Sequence, residues 1–239
     1  MEHEIMGHTK KALKIASNKE KGFGEKFKEI LIEIAIIIFA VSFAAFIERT
    51  REHNKEQGEA KEFLLGLNND IEHELIQVKG SRTEMLKLVD DYTQLLHFNK
   101  RTIDSMGKTK LKQSFTIPKF STRPLNGRYE GFKSSGKIQT IENDSLRNYI
   151  LKLYQEAVPF IDFSENAFNA NQVRIEEILF SGQGDNATAD NPLRVITSPR
   201  GKLALTFAIS YSNGVISGYD RMIAQAEKVK KEIKKEYGE

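Results

Sequence analysis

This chain of 239 residues predicts an all-α fold, a single N-terminal transmembrane helix continuing into a soluble helical bundle, and three observations predict it. Residues 30–47 read ILIEIAIIIFAVSFAAFI, an 18-residue run whose single charge is Glu33. Beyond it Leu64, Ile71, Val78, Met85 and Tyr92 recur at every seventh position. Toward the C-terminus Ala208, Tyr211, Val215, Tyr219, Met222, Ala226, Val229 and Ile233 step by three and four. Such steps place each set on one helix face, whereas a half-buried strand would alternate with period two.

The first element is the membrane helix, residues 27–47. Counted from Phe27 it spans roughly 31 Å, enough to cross a bilayer core. Its flanks orient it. Seven lysines precede the apolar run at 30–47 (Lys10, Lys11, Lys14, Lys19, Lys21, Lys26 and Lys28), against Arg49, Arg51, Lys55 and Lys61 after it. That excess predicts a cytoplasmic basic tail at 1–26 and an extracytoplasmic α-helical domain at 48–239. A cleaved signal peptide fits less well, because the segment before the apolar run is too long and the run itself exceeds the usual 7–15 residues.

The helix leaving the membrane has no Pro before residue 98, and its seam predicts relaxation near Gly58 or Gly80-Ser81. Leu67, Leu88 and Leu95 form a second heptad line, but Glu74 and Ser81 interrupt it. A broken seam predicts bundle packing rather than a long dimeric coiled coil. The insert around 102–139 is rich in Gly, Ser, Lys and Thr and holds Pro118 and Pro124, with Phe115, Ile117 and Phe120 suggesting a short extended piece. Helical pattern resumes at Ser145 through Leu146, Ile150, Leu153, Tyr154 and Ala157, with Asn143 or Asp144 as N-cap. Pro159 predicts a kink or an end, and Val173, Ile175, Ile178 and Leu179 carry a further helical segment. Residues 181–192 are a loop by composition, and the last helix is expected from about Arg200.

Composition excludes several functions. With no Cys there is no disulfide framework, thiolate metal site or Cys nucleophile. A net charge of +3 is too mild to imply a nucleic-acid partner. No nucleophile elbow surrounds Ser134 and Ser135, and no phosphate-binding Gly loop occurs. Asp70, His73 and Glu74 share a helix face at i, i+3 and i+4, but a bundle metal site needs a second such set, and no His follows His97. A solvated face is the expectation there. No catalytic residue, cofactor or metal is therefore expected.

Two places remain as candidate sites. Glu29, Glu33, Ile37, Ala40, Ala44 and Glu48 fall on one face of the membrane helix. A carboxylate at membrane depth costs about 2.5–3.5 kcal/mol at a helix centre, and Ala40-xxx-Ala44 lets helices approach closely. The face reads as an oligomer seam or the lining of an ion path, unless Glu33 merely snorkels to the boundary. The turn Lys133-Ser134-Ser135-Gly136 reads as an anion nest or as a turn setting the angle between two helices.

The stretch 127–154 carries a more specific pattern in Tyr129, Glu130, Lys133, Ser134, Ser135, Gly136, Ile141, Asn143, Leu146 and Arg147. It resembles a family of bacterial single-pass membrane proteins known only as a domain of unknown function, and the approach to the membrane run at 27–30 is similar too. Glu33 departs from the pattern, where an apolar residue is expected. The resemblance implies membrane topology and an α-helical soluble domain, and it implies no reaction. The expected location is the bacterial inner membrane, N-terminus cytoplasmic and C-terminal domain periplasmic. The expected role is a non-enzymatic interaction or sensor-like protein, in contact with the lipid bilayer and self-associating or joining another membrane protein. The alternative is a subunit of an oligomeric pore with Glu33 facing the axis.

Overall fold

The computed structural model describes residues 23–105, 116–182 and 191–238, together with Gly7 and Lys10. The predicted basic tail thus lies largely outside the described residues, as do Phe115 and most of the 181–192 loop. The chain divides into two compact units, Met1–Glu59 and Ala60–Glu239. Every described element is helical or irregular, with no strand among the described residues.

Helix α1 (Phe23–His97) runs unbroken through Gly58 and through Gly80-Ser81, where relaxation was expected. A helical Gly costs only about 1 kcal/mol relative to Ala, too little to break a helix whose later turns are packed into a core. In the first unit, α1 holds the apolar run. In that run Ile38, Phe39, Phe43 and Phe46 are exposed, and Glu33 is buried.

In the second unit the first heptad line is buried throughout, from Leu64 to Tyr92, as are Leu67, Leu88 and Leu95. Three half-exposed ion pairs tie α1 to α7 (Pro199–Tyr237): Lys79–Glu227 at 3.0 Å, Arg82–Asp220 at 2.6 Å and Glu72–Lys230 at 3.4 Å. Their order makes the two helices antiparallel. Being exposed, each contributes at most about 1 kcal/mol, so the heptad burial holds this pair together. Lys202 of α7 donates to the Leu96 carbonyl at 2.6 Å and so caps the end of α1.

The insert begins with α2 (Lys100–Asp104), capped by Asn99, whose side chain accepts from the Thr102 amide. Residues 116–126 have no regular secondary structure, and α3 (Gly127–Ser134) and a 3-10 turn (Lys137–Thr140) follow. Helix α4 (Asp144–Lys152) is capped by Asn143, whose side chain accepts from the Leu146 amide at 3.0 Å. Pro159 does not end the helix. Leu153–Ala157 widens into a π turn, and α5 (Val158–Gly182) continues beyond it. Proline offers no N–H to the carbonyl four residues back and its ring crowds that carbonyl, and a wider turn relieves both.

Helix α6 (Asn191–Ile196) leads into α7, which starts at Pro199 behind the Ser198 cap. The predicted α7 stripe is buried except at Tyr211, which is exposed, while Ser212 takes the core position beside it. Gly201 is required by close approach, since a Cβ there would overlap the Ile196 carbonyl. Gly201→Ala should therefore cost about 1–3 kcal/mol despite the better helix propensity of Ala, as the thermal midpoint of the full chain in detergent would report.

Candidate functional site

Helix α3 docks on α1 along Phe63, Gly66 and Asp70, a stripe that Glu74 continues by one turn. Phe132 stacks on Phe63 with centroids 3.9 Å apart. The Arg128 guanidinium lies across Gly66, where a Cβ would displace it, and its Nε donates to Asp70 Oδ2 at 2.7 Å. Tyr129, fully buried, stacks on Tyr154 of the π turn at 4.5 Å, and Gln155 Nε2 donates to the Tyr129 hydroxyl at 2.9 Å.

Glu74 closes this stripe. The expectation of a solvated face fails here, because Glu74 is only 2% exposed while its neighbour His73 stays exposed. Neither carboxyl oxygen meets a donor at good hydrogen-bonding geometry, the Leu125 backbone amide being only close enough to bias the carboxyl, and the buried Tyr154 hydroxyl also lacks a partner. Burial pushes the Glu74 carboxyl from 4.5 up to about 7; the Leu125 backbone amide partly offsets this and the charge of Asp70 adds to it. Burial likewise holds the Tyr154 phenol far above its ordinary value, with the charge of Glu74 second, so it stays protonated. A cavity of about 440 Å3 opens beside these groups, lined by Asp70, Leu125, Gly127 and Arg128.

The sequence did carry a signal for this site. Glu74 occupies the second heptad line between Leu67 and Leu88, and a helix that keeps its register buries whatever stands there.

A second buried carboxylate behaves in the opposite way. Glu165 of α5 accepts from the Thr122 amide at 2.8 Å, from the Thr122 hydroxyl at 2.6 Å and from the Tyr219 hydroxyl at 2.6 Å. Two more α5 side chains continue the row. The Asn169 amide pairs with both backbone groups of Phe120, at 3.0 and 2.6 Å. Gln172 accepts from Tyr92, whose hydroxyl also lies 3.1 Å from the Thr116 carbonyl. Positions 165, 169 and 172 are one helix face, and that face reads the extended segment 116–122 through its backbone. This row was missed because Glu, Asn and Gln on a helix read as surface.

The candidate sites proposed from sequence lie elsewhere. In the apolar run Glu33 is 8% exposed, and neither Glu29 nor Glu33 lacks an interaction. Ile37 and Ala44 are half-buried, whereas Ala40 and Glu48 are exposed. The Lys133–Gly136 turn ends α3. Ser134 and Ser135 donate to the Gly131 and Phe132 carbonyls, Lys133 sits over the Tyr129 ring, and Gly136 takes a left-handed φ of 75°. Its partial charge is thus that of a helix C-terminus, where carbonyls rather than amides face out.

Fold and site together define a class: an all-helical chain with one helix long and apolar enough to cross a membrane, by length and composition. Its described residues hold no group of three or more His, Asp or Glu that would bind a metal. Residues 30–181, more than half of the chain, match the family of unknown function DUF6090, and the chain belongs to that family. No curated protein and no solved structure matches it.

Proposed function

We propose that this protein is a membrane-anchored, non-enzymatic interaction or sensor-like protein, held in the bacterial inner membrane by one span and self-associating there. The observation that carries the reading is the exposed apolar run, with a mean hydropathy of 2.8 over 18 residues. So dense an exposed apolar surface is stable in lipid and costly in water. The same helix, α1, supplies the first face of the bundle core, a geometry that can relay a change between a domain and a membrane span. The lysine excess before the span favours an N-terminus in the cytoplasm and a periplasmic bundle.

The mass of the detergent-solubilised full-length protein, from light scattering corrected for detergent, tests the assembly. A discrete oligomer supports the Glu29–Ala44 face as the seam, and a monomer overturns self-association. The second reading, an ion-conducting assembly, draws on Glu33 being the buried residue of the run. Under the leading reading Glu33→Leu leaves bilayer conductance at background, as for the parent protein. A conductance in the parent that Glu33→Leu abolishes would make the pore the better account.

A further inference from the structure

We propose that Glu74 is a proton-controlled latch. In its neutral form it lets α3 and the Leu125 backbone lie against α1. In its ionised form it draws water through the cavity at Asp70 and Arg128 and releases that segment.

The geometry carries the argument. A buried carboxyl with no well-formed hydrogen bond and only the Leu125 amide acting on it favours the neutral form, because ionisation would cost its hydration for one weak contact in return. The segment it supports is weakly held. Of α3 only Tyr129 is buried, and the Arg128–Asp70 pair is partly exposed. A short helix with so few buried contacts belongs to the part of a fold that opens first. Water already reaches the edge of the joint, since a surface hollow one helical turn from Glu74 is lined by Asp70 from α1 and by Leu125, Gly127 and Arg128 from the incoming segment.

The groups around Glu74 sharpen the response. From its own helix comes Asp70 and from the π turn Tyr154, on which Arg128 and Tyr129 of α3 act in turn. On the α7 side Lys230 is engaged by Glu72, two residues before Glu74. Arg128 is committed to Asp70, so no cation neutralises Glu74 in place. Tyr154 keeps its proton, and the upward displacement of the Glu74 carboxyl places the change near neutral pH. The inference deepens the sensor reading by naming protons as its stimulus. It rests on that reading for its biological meaning only, because the latch is tested on local exchange and the anchor on mass and conductance.

The experiment is hydrogen–deuterium exchange of the full chain in detergent, with rates corrected for the intrinsic pH dependence of amide exchange. Peptides over 125–136 are compared with peptides over 164–175 in α5. Protection of 125–136 should fall roughly 30-fold between about pH 5.5 and about pH 8.5, while the α5 peptides stay protected. Glu74→Gln should keep 125–136 protected throughout, and Asp70→Asn should move the midpoint to lower pH. The Asp70→Asn shift keeps the test alive if Glu74→Gln fails to fold. His73→Asn is the control, since histidines in general titrate in this range. A flat profile in the parent protein, an unchanged profile in Glu74→Gln, an unmoved midpoint in Asp70→Asn, or a transition abolished by His73→Asn would overturn the proposal.

Discussion

Glu165→Ala should lower stability by about 3–5 kcal/mol, the largest loss expected from any single polar substitution in the bundle. Three donors converge on this carboxylate at 2.6–2.8 Å, and two of them come from Thr122 on the extended segment. Hydrogen bonds to a charged group are worth about 1.5–3 kcal/mol each, and truncation would leave buried donors with no acceptor. Tyr219 cannot compensate by ionising. Burial, with the Glu165 hydrogen bond second, pushes its phenol far above the ordinary value, so it stays protonated and keeps only weaker contacts such as Thr122 at 3.5 Å. The loss should be local at first, because Thr122 anchors one end of 116–122 while Asn169 holds Phe120. Thermal unfolding in detergent would give the magnitude, and exchange over 116–126 would show that segment loosening first. Glu165→Gln retains an acceptor but turns an NH2 toward one donor set, and should fall between the two. A Glu165→Ala chain as stable as its parent would show that the carboxylate is not what holds the segment.

Glu74→Leu should have the opposite sign at alkaline pH. The folded-state carboxyl titrates at about 7, against 4.5 for the free side chain. The folded chain therefore binds the extra proton between those values, and stability falls as pH rises through that window. The contribution is fully present below about pH 4.5 and fully lost above about pH 7, a swing on the order of 3 kcal/mol. Leu removes both the penalty and its pH dependence. At about pH 8 the variant should melt higher by roughly 5–10 °C, the shift such an energy gives a domain of this size. At about pH 5 the two chains should melt within a few degrees of each other. A parent protein whose melting point is independent of pH across that window would contradict the assignment of a neutral buried Glu74.

Those two carboxylates show where legibility ended. Both are 3% exposed or less, and both sit on helical segments that could be read in advance. Glu74 stood in a visible heptad line, so its burial was readable from register. Glu165 had no such marker, since its partners Thr122 and Tyr219 lie 43 and 54 residues away. The insert shows the same limit. Its non-helical stretch could be read from Pro118 and Pro124, but α3 has low propensity and two glycines, Gly127 and Gly131, and exists because Phe132, Arg128 and Tyr129 find places on α1 and the π turn. Pro159 left two outcomes open, a kink or an end. Its effect on a helix is local, yet whether the chain breaks or widens depends on the core on either side, where Leu153, Tyr154, Ala157, Val158 and Ile161 are all buried.

By itself the sequence determined the helical class, the apolar run at 30–47, the buried heptad of α1, a cap at Asn143 or Asp144 and most of the α7 stripe. Each is a matter of hydrophobic period, capping chemistry or length, which act between residues near in sequence. Only the tertiary structure decided that α1 runs through Gly58 and Gly80, that α3 lies across Gly66, and that Glu165 is satisfied while Glu74 is not. Those outcomes turn on which groups meet across helices, and a buried charge is costly or stabilising according to whether donors from distant segments reach it.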